Sequence, residues 1–166
     1  MVQEYFTQDH RRLESLLHRA IDASALVDEA AYVEFRIGLL KHIALEEKIL
    51  IPALSKSDKY PLASQLRLEH GAIAALLVLP PSVEIKNALL GILRSHNKCE
   101  ESEAGLYKDC DTLLEISLDT IMQMIKTYPN VPVMPYNNSQ MAHDAVRRAV
   151  SRAGFDFDAL VHNSHS

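Results

Sequence analysis

The sequence predicts an all-α fold: an up-down-up-down four-helix bundle followed by additional C-terminal helical segments. Three observations predict it. Apolar residues recur at steps of three and four in four long segments, the period of a helix with one buried face. Breaks rich in Pro, Ser and Asp stand between those segments, at Asp22 to Asp28, Ser55 to Pro61 and Pro80 to Ser82. No segment alternates apolar and polar residues as a half-buried strand does.

The first helix runs from about Gln3 to Ile21, with Phe6, His10, Leu13, Leu17 and Ala20 on one face. A second spans about Glu29 to Leu54 and lines up Phe35, Leu39, His42, Glu46, Ile49 and Ala53. In the third, Pro61 suits the first turn, where its fixed φ fits and a missing N–H costs nothing. Its stripe is Leu62, Leu66, His70, Ile73 and Leu77. Ser82 caps the fourth, and Glu84 behind it suits the positive helix end. Ile85, Leu89, Ile92, His96, Glu100, Glu103 and Tyr107 form one continuous stripe there. Short loops make sequential helices antiparallel neighbours. Leu113 to Ile125 reads as a further helix, and Met141 to Ala153 as another ending at Gly154. Between them YPNVPVMPYNN reads as an extended connector, because each proline disfavours helix at the residue before it. The tail past Asp158 reads as polar and frayed. Residues 1–108 therefore form the bundle and 109–166 a C-terminal helical extension and tail.

With 166 residues, 48% of them apolar and 23% charged, the chain has material for one packed core and a solvated surface. A net charge of -5 argues against nucleic acid as the partner. No apolar run approaches the ~20 residues that span a bilayer; the longest is Ala72 to Leu79. The N-terminus shows no basic segment leading into an apolar one, and Cys99 and Cys110 cannot make a disulfide framework. Together these point to a cytoplasmic protein without a membrane partner. GxGxxG, GxxxxGKS/T and GxSxG are all absent, which excludes the commonest nucleotide-binding and serine-hydrolase loops.

Chemistry enters through the histidines. Each of the four stripes carries one at a core-facing position: His10, His42, His70 and His96. Two are followed by a carboxylate pair at the same offset, in H-I-A-L-E-E (His42 to Glu47) and H-N-K-C-E-E (His96 to Glu101). Residues four apart share a helix face, so His42 with Glu46, and His96 with Glu100, aim at one point. Six such groups do not stay buried without partners, and a metal cluster satisfies them. The order lone His, then His-x3-Glu, occurs twice, which suggests two metals, each served mainly by one half. Zinc fits less well, since its four-coordinate sites are overfilled by six N and O donors; manganese or a mixed pair suits the donor types. Glu47, Glu101, Asp9 and Glu69 flank the candidate ligands and read as solvated charge rather than as partners of a neighbouring histidine. His18 reads as exposed, and His143, His162 and His165 have no metal role.

D-H-R (Asp9 to Arg11), K-H-I-A-L-E-E-K-I-L-I-P (Lys41 to Pro52), E-H-G (Glu69 to Gly71) and H-N-K-C-E-E-S-E-A-G-L-Y (His96 to Tyr107) resemble the hemerythrin-like, or HHE cation-binding, family. The resemblance covers about residues 1–108. It implies a non-heme di-iron centre with an oxo or hydroxo bridge, His10, His42, His70 and His96 as terminal ligands, and Glu46 and Glu100 as carboxylate bridges. A small diatomic partner, dioxygen or nitric oxide, is implied for sensing, scavenging or iron and stress handling. The alternatives are a di-iron oxidoreductase, since the six-ligand pattern also resembles iron-sulfur-cluster repair proteins, and a metal that only holds the bundle together. Oxygen-carrying relatives have a further histidine where this chain has Ala74, and an aspartate at a longer offset than Glu100. Six protein ligands with two bridging carboxylates supply about eight bonds and a shared oxygen two more, leaving about two of roughly twelve octahedral positions open. The extension suggests a homodimer contact.

Overall fold

The computed structural model describes residues 1–53, 60–113 and 118–162. Among them the chain is all-helical; the sole extended pairing is an isolated bridge between Ile21 and Val27. No described helix is long and apolar enough to cross a membrane.

Helix α1 spans Val2–Ala20 and α2 Glu29–Leu45. Asp28 caps α2, its carboxylate accepting from the Ala31 amide at 3.0 Å. The predicted second helix does not run straight to Leu54. After Leu45 it widens into a π turn over Glu46–Leu50, then continues as the short α3, Ile51–Ala53; Leu54 lies outside the described residues. Pro52 supplies the reason. It has no N–H to donate and its ring crowds the carbonyl four residues back, so the preceding turn opens.

Helix α4 spans Tyr60–Leu76, with Pro61 in its first turn as expected. Helix α5 spans Val83–Glu101, and Ser82 caps it by accepting from the Ile85 amide at 3.3 Å. The stripe predicted to run on to Tyr107 breaks here: Ser102 is extended, Glu103 is exposed, and Tyr107 belongs to a new helix, α6, Leu106–Leu113. The predicted Leu113 to Ile125 helix is α7, Leu118–Thr127, and residues 114–117 lie outside the described ones. The proline connector is free of helix, and the Arg36 guanidinium holds it by donating to the Met134 carbonyl at 2.8 Å and stacking over Tyr136. Helix α8, Gln140–Arg152, gives way at Gly154, whose φ of 90° suits a residue without a Cβ. The expectation of a frayed tail past Asp158 is corrected: α9, Phe157–His162, packs on α5, because Leu160 inserts into the core.

Two apolar clusters hold the molecule together. The larger joins the Leu13–Ile21 end of α1, the Ala31–Leu39 end of α2, the Ala72–Leu76 end of α4 and the Ile85–Leu93 part of α5, with Val146, Val150 and Leu160 closing it. The smaller joins Val2 and Phe6 of α1 to Leu45, Ile49, Leu50, Leu66, Tyr107, Ile121 and Ile125. Between the two lies a layer of buried polar side chains: His10, His42, Glu46, Glu69, His70, His96 and Glu100. Apolar packing above and below fixes that layer.

Candidate metal centre

All six predicted donors meet in this layer. Their ligand atoms form two groups, His10, His42, Glu46 and Glu100 in one and Glu46, His70, His96 and Glu100 in the other. Each histidine pair belongs to one group, whereas both carboxylates belong to both. His10 Nε2 lies 3.0 Å from His42 Nε2, and His70 Nε2 lies 3.2 Å from His96 Nε2. Glu46 reaches across the divide: Oε1 is 3.1 Å from His42 Nε2 and Oε2 is 3.1 Å from His70 Nε2. Glu100 Oε2 stands 3.5 Å from His10 Nε2 and 3.3 Å from His96 Nε2.

The four flanking acids are not solvated charges; the structure corrects that reading. Each holds the outer nitrogen of a histidine on the neighbouring helix. Asp9 on α1 takes His42 Nδ1 at 2.8 Å, and Glu47 in the π turn takes His70 Nδ1 at 2.8 Å. Glu69 on α4 takes His96 Nδ1 at 2.7 Å, and Glu101 on α5 returns to His10 Nδ1 at 2.7 Å. The contacts close into a ring, α1 to α2 to α4 to α5 and back. Helical geometry makes this possible, because adjacent residues lie about 100° apart around the axis. Glu46 points inward while Glu47 points to the next helix. Three ring members are tied again from outside: Asp9 by Arg12 at 2.7 Å, Glu47 by Arg67 at 3.1 Å and Glu69 by Gln65 at 2.9 Å.

Sequence reasoning also missed Tyr107 as a member of the layer. Its hydroxyl donates to Glu46 Oε1 and lies 2.9 Å from Glu100 Oε2, 3.0 Å from His10 Nε2 and 3.4 Å from His42 Nε2. His18 is exposed, as expected; His143 is half-buried and His162 exposed, neither in the layer, and His165 lies outside the described residues.

The electrostatics follow from two carboxylates sealed among imidazoles. Burial works against a charged His42, yet Glu46 and Asp9 outweigh it and lift its pKa to about 10. His70 is lifted to about 9 against burial by Glu46 and Glu47. His10 is pushed down by burial and by the His42 charge. Burial would raise Glu46, but His42 and His70 hold it well below the usual carboxylate range. Glu100 rises to about 7 through burial and the Glu46 charge. Burial and both carboxylates push the Tyr107 hydroxyl up.

Does this donor set fit metal ions? With Nδ1 committed to a carboxylate, each imidazole turns Nε2 inward, where a cation can displace the proton that His42 and His70 hold in its absence. Two such pairs face each other across 3.0 and 3.2 Å. Glu100 Oε1 is buried without a hydrogen-bond partner. Nitrogen and oxygen donors converging in a buried layer suit cations.

The hemerythrin HHE cation-binding domain model matches residues 1–105. The chain belongs to this family. Comparison with curated proteins and with solved structures gave no match. Membership in the hemerythrin family, a cation-binding one, accounts for a helical fold with buried His and Glu groups that could hold a metal ion.

Proposed function

We propose that this hemerythrin-family chain is a non-heme di-iron protein that binds a small ligand, dioxygen or nitric oxide, for sensing, scavenging or iron and stress handling. In this reading His10 and His42 hold one ion, His70 and His96 the other, and Glu46 and Glu100 bridge them beside an oxo or hydroxo group. The observation that carries it is the pair of facing Nε2 atoms in each half, with every Nδ1 already engaged. The two groups share both carboxylates, which supports a dinuclear site over two separate ones. Iron there supplies open coordination positions for a diatomic molecule. The protein's part is to orient four imidazoles through the carboxylate ring and to hold the layer between the flanking apolar clusters. We read the helix order as up-down-up-down over residues 1–108, supported by the alternation of helix ends between the two clusters.

A cavity of about 590 Å³ borders His10, His42 and His96 on the side of the larger cluster. Leu13, Leu39, Ile73, Leu90 and Leu93 line its interior, and exposed Arg11, Glu14, Arg94 and Lys98 line it towards solvent between α1 and α5. It gives a diatomic ligand a route to the layer. Its size favours the second reading, a di-iron oxidoreductase, because pockets of about 300–1,000 Å³ accept organic molecules.

Metal analysis of anaerobically purified protein, followed by optical spectra on admitting air, tests the first reading. Iron filling both groups, with an oxo-bridge charge-transfer band, is expected. Zinc in place of iron, or no metal, overturns it. Stoichiometric uptake without product separates binding from turnover.

A further inference from the structure

The two halves of the layer are not equivalent, and Tyr107 is the difference. Two donors at right angles on one octahedral ion, each about 2.1 Å from it, lie about 3.0 Å apart. In the first half His10 to His42 is 3.0 Å, His42 to Glu46 is 3.1 Å and His10 to Glu100 is 3.5 Å. The Tyr107 oxygen stands 3.0 Å from His10, 3.4 Å from His42 and 2.9 Å from Glu100, and touches Glu46 as well. It is spaced from His10, His42 and Glu100 as the donors are from one another, and lies closer still to Glu46. In the metal-free layer the same contacts serve as hydrogen bonds, one hydroxyl meeting two carboxylates and two imidazole nitrogens, and it is this shared set of neighbours that an ion would also have.

We infer that Tyr107 is a seventh protein donor, its oxygen completing the set around the ion held by His10 and His42; this rests on the di-iron reading above. Ferric iron is a hard cation for which a tyrosine oxygen is a suitable ligand. The hydroxyl proton leaves to solvent as the oxygen–cation bond forms.

The local backbone is built to deliver this oxygen. A Cβ on Gly105 would run into the Glu100 and Cys99 carbonyl oxygens, so only glycine lets the chain turn this tightly from α5 into α6. Tyr107 follows two residues later, fully buried, with the Phe6 ring stacked on it at 5.0 Å between centroids. One element thus adds a donor that the repeated His and Glu pattern lacks.

The coordination count changes accordingly. The first group offers His10, His42, Glu46, Glu100 and Tyr107; the second offers His70, His96, Glu46 and Glu100. A bridging oxygen, counted once on each ion, fills the first octahedron and leaves one position on the second. An exogenous ligand then goes to the ion held by His70 and His96.

Resonance Raman and optical spectroscopy of the iron-loaded full chain test this, with iron counted on the same sample. Tyrosinate ring modes under a visible charge-transfer band are expected. Both vanish in Tyr107→Phe when the spectra are scaled to the iron bound. Azide, titrated optically, saturates at one per centre in the wild type and at two in the variant. Bound iron without tyrosinate modes overturns this inference and leaves the di-iron reading standing, whereas a chain that takes up no iron overturns both. A band that persists in Tyr107→Phe also overturns it. If that variant does not fold, the wild-type Raman spectrum decides alone.

Discussion

Around His10 and His42 a tyrosine hydroxyl closes the circle of polar atoms; around His70 and His96 no described side chain takes the corresponding place. The rest of the two halves match group for group: a lone histidine, a His-x3-Glu pair and an acid on each outer nitrogen. The matching parts come from the repeated helical pattern, and the odd one comes from α6, outside that repeat. A near-symmetric frame thus holds two unequal places, and the inequality enters through a short element that would otherwise count as a connector.

The largest effect is expected where the halves are joined. Glu46→Ala removes a donor from both groups, so both ions should be lost together in metal analysis. Retention of one ion would show that the halves load independently. Next come the ring acids. Glu47→Ala frees the outer nitrogen of His70, and Glu101→Ala frees that of His10; each should cost about 10- to 100-fold in metal affinity, read by competition with a chelator. A Glu47→Ala loss confined to one ion would sharpen the distinction between the halves.

The metal-free protein should also respond to pH with a definite sign. His42, raised from 6.5 to about 10, and His70, raised to about 9, bind protons more tightly folded than unfolded. Their contribution is complete below about 6.5 and is lost as pH climbs through those values. Glu100, raised from 4.5 to about 7, acts in the same direction lower down. His10, pushed down, opposes them through its ordinary range and is outnumbered. Thermal unfolding with a chelator present should therefore show Tm falling from about pH 6.5 to 10. The loaded protein should show a flatter profile, since ions replace those protons. Smallest of all is Asp28→Ala, which removes only the cap of α2. It should cost about 1 kcal/mol and lower Tm by about 2–4 °C, with metal content unchanged.

The six inner donors were legible because their signal is local: a four-residue spacing on a helix places two side chains on one face wherever the helix goes. The outer acids depend on which neighbour a residue meets about 100° around the axis, and that is set by packing between helices. A signal was nonetheless present. An acid precedes each lone histidine (Asp9, Glu69) and follows each inner glutamate (Glu47, Glu101), a coincidence repeated in both halves. Tyr107 sat on the predicted stripe for the wrong reason. The stripe assumed an unbroken helix, whereas Ser102 to Gly105 turns the chain and delivers the ring from a different element. Pro52 signalled the π turn, but only in combination with a helix that had to continue past it.

The closed circuit of acid-to-imidazole contacts has a consequence for how cargo is let go. No one of its four members can be peeled from the bundle without stranding an imidazole on one side and an acid on the other. Local opening should therefore release any bound cation well before the polypeptide as a whole comes apart, making retention of metal a report on whether the assembly is intact.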